Sequence, residues 1–187
     1  NTLLCASFFG LELTARYGLT LQLFAVLIGI SGTVYSALMP EINQACLLND
    51  LIKIKKLISI SSTTNWIIYL IGFIFILVLG QQVLDLLRIE IKLLDANLLL
   101  FMGVYLFLEN NHSMFASFIT ADNKVPFMKA AIISGILIVI ISFSLNYYTN
   151  LGLWSLLLSQ ALVQLCYNNW KWPYVIFKQY DLTVNSI

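Results

Sequence analysis

At 187 residues the chain is 60% hydrophobic and only 10% charged, with a mean hydropathy of +0.88. A soluble domain carries about 25% charged residues, so an ordinary soluble globule is excluded and an all-α integral membrane protein is expected. The formal net charge of +1, with basic residues at the ends of apolar runs rather than in a patch, gives no sign of a nucleic-acid partner.

The elements follow in chain order. Residues 1–9 are apolar but too short to cross a bilayer, and are expected to be the remnant of a preceding span. No n-region or cleavage site of a signal peptide accompanies them, so the chain is expected to be a fragment of a longer protein. Residues 10–16 read as a polar connector. The first complete span is predicted over 17–39, closed by Pro40 and Glu41. Ala25, Gly29, Thr33 and Ala37 recur every fourth residue along it, a small-residue seam of the kind that lets a neighbouring helix approach closely.

Residues 41–58 form a Lys-rich connector. Leu47, Leu51, Ile54 and Ile58 recur at helical spacing there, which suits a short amphipathic helix in the membrane interface. A second span is predicted over 59–79, then a loop over 80–95, and a third span over 96–119. A tight turn at 121–126 places Pro126 at the start of the next helix, where its missing N–H does no harm. A fourth span is predicted over 127–147, with Ala131 and Gly135 as a further close-approach pair. The last span covers 153–172 and is ended by Pro173, leaving 173–187 as a polar tail.

The third span carries the unusual chemistry. At about 1.5 Å per residue, Glu109 lies about 20 Å from one end of its apolar run and about 15 Å from the other. An ionisable group at that depth costs ~3 kcal/mol or more, and so faces a protein interior or a wet cavity. Met102, Tyr105, Glu109, His112, Ser113 and Ala116 share one helical face. Asn110 lies on its flank and Asn111 nearly opposite, which argues for a helix enclosed by others. Asn110 and Asn111 suit interhelical hydrogen bonding. His112, one turn from Glu109, reads as its hydrogen-bond or charge partner. It is the only histidine and has no cysteine at ligand spacing, so no metal site is expected. Cys5, Cys46 and Cys166 are scattered and odd in number, which implies no disulfide framework.

The last span adds Gln160, Gln164 and Asn168, a polar stripe covering about 12 Å of helix. It suits either glue between helices or the wall of a hydrophilic cavity. The substrate or cavity candidates are therefore Glu109, Asn110, His112, Gln160, Gln164 and Asn168. Orientation follows from the basic residues. Connectors 40–58 and 120–129 and the C-terminal stretch 171–187 hold Lys53, Lys55, Lys56, Lys124, Lys129, Lys171 and Lys178, against Arg16, Arg88 and Lys92 in the alternate connectors. This asymmetry places the C-terminus in the cytoplasm.

Several segments together resemble the oligosaccharide flippases of the multidrug/oligosaccharidyl-lipid/polysaccharide exporter superfamily, in particular bacterial O-antigen flippases. They are Ala15-Arg-Tyr-Gly-Leu19, Pro40, Leu108-Glu-Asn-Asn-His-Ser113, the run from Phe118 to Phe127, and Tyr167-Asn-Asn-Trp-Lys-Trp-Pro173. The resemblance covers nearly the whole chain and is to the C-terminal half of such a protein. It implies two six-helix bundles around a central cavity in the bacterial inner membrane. It also implies alternating access that carries an undecaprenyl-diphosphate-linked sugar repeat between leaflets. The partners it implies are that lipid-linked oligosaccharide, membrane lipids and the N-terminal half of the same transporter. The chain departs from the family in lacking that half and in having no Lys or Arg at mid-depth to meet the diphosphate. No cofactor is expected, and no Walker loop, nucleophile elbow or metal cluster suggests an enzyme. The alternatives are a small-molecule or drug exporter of the same superfamily, and a structural membrane subunit.

Overall fold

The computed structural model describes residues 2–121 and 125–182. Asn1, residues 122–124 of the tight turn, with Lys124, and the end of the tail at 183–187 lie outside the described residues. Among the described residues seven helices follow one another: α1 (Thr2–Ser31), α2 (Thr33–Leu47), α3 (Leu51–Leu86), α4 (Ala96–Thr120), α5 (Phe127–Tyr148), α6 (Trp154–Cys166) and α7 (Asn168–Gln179). No strand occurs among the described residues. α1, α3 and α5 are long and apolar enough to cross a membrane. α4 has 25 residues, about 37 Å at the usual rise, but its apolar run is interrupted by the polar quartet 109–112.

Side-chain contacts fix the directions. Leu94 N–H donates to Thr20 at one end of the α1–α4 pair, and Asn110 donates to Ser31 at the other, so these helices run the same way. Phe101 meets Trp154, and Glu109 meets Gln160 further along, so α6 runs with α4 too. α3 runs against α4, with Tyr69 at Gly103 and Asn65 at Asn110. α5 runs against α6 and α7, joined by the Ser142–Ser159 and Asn168–Ser134 hydrogen bonds. The result is an up-and-down array of five rods. Two of them, α1–α2 and α6–α7, are broken.

The boundaries of α4 and α5 lie where the sequence predicts them, and several others do not. The remnant at 1–9 and the connector at 10–16 are one helix with the following span, kinked at Gly10, whose φ of 81° suits a residue without Cβ. The predicted 17–39 span does not end at Pro40; it is interrupted for one residue at Gly32 (φ −77°, ψ −9°), which still donates to Ile28 O (2.9 Å), and continues as α2. Pro40 lies inside α2, where it withholds one hydrogen bond without stopping the chain. No separate interfacial helix forms over 41–58. Asn49 turns the chain at φ 53°, Asp50 caps α3 by accepting from Lys53 N–H, and α3 then runs unbroken for 36 residues. Ile54 and Ile58 are buried against α2 and α4, while Leu47 and Leu51 are exposed. α3 also takes in the first part of the predicted 80–95 loop. The predicted 153–172 span breaks at Tyr167, and Pro173 lies within α7 instead of ending it.

Two apolar cores stack along the rods. One gathers Tyr17, Phe24, Tyr69, Phe73, Met102 and Leu156 from α1, α3, α4 and α6. The other gathers Ile42, Ile58, Met114, Phe118, Trp172 and Ile176 from α2, α3, α4 and α7. Between them lies a polar layer, level with the breaks at Gly32 and Tyr167. Arg16 latches the 87–95 loop at the first core's outer end, donating to Leu93 O (2.9 Å) and pairing with Asp95 (2.7 Å).

Candidate functional site

The polar layer is built on residues 109–112 of α4, which between them meet α1, α3, α6 and α7. Gln160 Nε2 of α6 donates to both carboxylate oxygens of Glu109, at 2.9 and 3.1 Å. Asn110 is buried and donates to Asn65 Oδ1 of α3 (3.1 Å) and to Ser31 Oγ (3.3 Å), the last residue of α1. Asn111 Oδ1 accepts from Trp66 Nε1 at 2.8 Å. His112 Nδ1 pairs with Asn169 Oδ1 of α7 at 2.7 Å. His112 is thus not the partner of Glu109, contrary to the expectation from sequence. The break at Tyr167 turns Asn169 inward to the imidazole, and Gln160 lies nearer the carboxylate.

The break also sets the lower half of the amide stripe. Asn168 is buried, donates to Gln164 Oε1 (2.7 Å) and Ser134 Oγ (2.9 Å), and accepts from Trp172 Nε1 (3.0 Å). Two cavities open on this stripe from the same face of α5. One, of about 350 Å³, is lined by His112, Ser113 and Ser117 of α4, Gly135 and Ile138 of α5, and Gln164 and Asn168. The other, of about 390 Å³, is lined by Tyr17 and Leu21 of α1, the same Gly135 and Ile138, and Gln160. They form successive parts of one groove.

Gly135 matters to that groove for a reason different from the predicted one. A Cβ there would meet nothing within 4 Å, and Ala131 is exposed as well. The pair lines open space rather than a close helix contact. The seam Ala25, Gly29, Thr33 and Ala37 is likewise exposed along its length, so none of the described helices packs into it.

Of the six candidates from sequence, His112, Gln160, Gln164 and Asn168 line the groove. Glu109 sits directly behind Gln160. Asn110 sits apart, in the buried cluster with Asn65 and Ser31, and joins three helices there. Sequence reasoning missed Asn65, Asn169, Ser134 and Trp66. Asn65 in the middle of an apolar run was the legible signal for the first of these. Asn169 could be assigned only once the break beside it was known. No protein-family model, curated protein or solved structure matches the chain.

Proposed function

We propose that this chain is the C-terminal half of a bacterial inner-membrane flippase for undecaprenyl-diphosphate-linked oligosaccharide repeats. In this reading five rods, α1–α2, α3, α4, α5 and α6–α7, cross the bilayer and the C-terminus is cytoplasmic. The observation that carries the reading is the amide-lined groove backed by Glu109 at the level of the two helix breaks. A sugar headgroup crossing hydrocarbon needs hydrogen-bond partners throughout its path. Carboxamides supply both donors and acceptors, and a carboxylate accepts strongly from hydroxyls.

The rest of the geometry supports the same role. Interrupted membrane helices commonly border transporter binding sites near the midplane, where repeats or bundles rock about a fixed site. The groove opens on the exposed side of α5, where the second bundle implied by the family resemblance would close it. Gln160 donates to both oxygens of Glu109 and holds the carboxylate beside the groove. Hydroxyls arriving from the groove would compete for the same lone pairs, so the carboxylate can exchange an internal partner for a substrate. The test is complementation. The full-length protein should restore surface polysaccharide to a strain lacking its own flippase, while this half alone should not. No restoration by well-expressed full-length protein sinks the reading.

A further inference from the structure

On the face of α5 away from the polar groove lies a second, apolar one. It has a volume of about 620 Å³ and runs between α5 and α6, with Ile133, Leu137 and Ile141 on one wall and Leu162, Val163 and Cys166 on the other. Its mouth is formed by Lys129 and Pro126 with Tyr167 opposite. From Lys129 to Ile141 is 12 residues along α5, about 18 Å at the usual helical rise. That is close to half of the ~30 Å hydrocarbon thickness of a bilayer.

The two ends of the groove differ in charge. Lys129 is exposed and forms no ion pair among the described residues. α5 begins at Phe127 with no side-chain cap, so the positive end of its dipole points to the same mouth. The inner stretch is apolar, and its one hydroxyl, Ser134, is already engaged as acceptor from Asn168. A cation at interface level above a single apolar slot one leaflet deep is complementary to an amphiphile with an anionic head.

We propose that the α5–α6 groove binds an anionic phospholipid from the leaflet on the Lys129 side, with one acyl chain along Ile133, Leu137 and Leu162 and its phosphate at Lys129. A one-leaflet slot favours a phospholipid over a polyprenyl chain, which is much longer than the groove. The site requires only that this face of the bundle meets lipid. It stands independently of the transport reading.

The experiment reconstitutes the full-length protein in vesicles containing photoactivatable phosphatidylglycerol or photoactivatable phosphatidylcholine, and maps the cross-linked peptides. Phosphatidylglycerol should label the 130–141 and 162–167 segments. Lys129→Gln should lower that labelling about fivefold, the effect expected of one basic residue near an anionic surface, and leave phosphatidylcholine labelling unchanged. Lys129→Arg should retain it. Leu137→Trp, which fills the slot, should reduce labelling by both lipids. Equal labelling of wild type and Lys129→Gln overturns the proposal. So does displacement of the probe by a polyprenyl phosphate but not by excess unlabelled phosphatidylglycerol. Lys129 is exposed, so an unchanged melting temperature separates lost binding from lost fold.

Discussion

Gly103→Ala should destabilise the bundle at the crossing of α3 and α4. A Cβ at this position would lie 1.9 Å from Phe73 Cε2 and 2.4 Å from Cζ, where carbon atoms normally sit about 3.5 Å or more apart. The ring must therefore retreat by roughly the radius of a methyl group. It has little room, because Phe73 is 8% exposed and its ring centroid lies 5.9 Å from Phe24 and 6.3 Å from Tyr69. Tyr69 in turn is anchored by donating to the Gly103 carbonyl at 2.9 Å. Overpacking of this kind costs ~1–3 kcal/mol. For a chain of this length each kcal/mol moves the melting temperature by about 2–4 °C. Purified Gly103→Ala in detergent should thus melt several degrees below wild type. Phe73→Leu should relieve the clash, so the double variant should melt above the sum of the two single effects by the equivalent of ~1 kcal/mol. An unchanged or raised melting temperature for Gly103→Ala, or additive effects in the double variant, would refute the packing argument.

Asn110→Leu should lower stability by about 0.6 kcal/mol, and at most ~2 kcal/mol, the range for interhelical hydrogen bonds in membranes, without lowering transport per folded molecule. Thermal melting alongside polysaccharide export separates the two effects. Arg16→Gln should loosen the 87–95 loop, read as faster amide exchange there, because it removes both the Leu93 carbonyl bonds and the Asp95 pair. Asp95→Asn should change little, since Asp95 is 76% exposed and such pairs contribute ~0–1 kcal/mol. Fusions after Tyr180 should be inactive with a periplasm-dependent reporter, and fusions within 146–152 active; the reverse pattern would sink the orientation. Gly135→Cys should react with a membrane-impermeant thiol reagent in the full-length protein in one conformational state, and a residue on the Ile132 side of α5 should not.

The sequence made some parts of this bundle legible because each depends on local composition. α4 and α5 begin and end within a residue of their apolar runs, where Asp95 and Pro126 mark the starts. The amide stripe and Glu109 were legible because polar groups at mid-depth are costly and stand out. The two breaks were not. Gly32 sits in an apolar run that looks like an ordinary span, and the irregularity there is slight: Gly32 keeps near-helical dihedrals beside Ser31, which accepts from the buried Asn110 of α4. Tyr167 carries no helix-breaking signal of its own, unlike Gly or Pro. The chain leaves helical geometry there (φ −144°, ψ −60°), and the two residues beyond it reach different helices, Asn168 to Ser134 of α5 and Asn169 to His112 of α4. Proline misled in the opposite sense. Pro40 and Pro173 look like terminators but sit within α2 and α7. The partners of Glu109 and His112 depended on the second break, and so could not be read from spacing along α4.

Export by Glu109→Gln tests most directly whether the Glu109 carboxylate serves the groove rather than the packing. Gln is nearly isosteric and can still accept from Gln160, so the variant should insert, fold and melt like wild type. Hydrogen bonds to charged groups are stronger than neutral ones by ~1 kcal/mol or more, and one substrate hydroxyl after another would lose that difference. Surface polysaccharide, normalised to the amount of variant protein in the membrane, should therefore fall by about tenfold, with Glu109→Asp retaining part of the activity and His112→Ala impaired less. Full export by Glu109→Gln would show that hydrogen bonding alone suffices and would contradict the assignment of the carboxylate to transport.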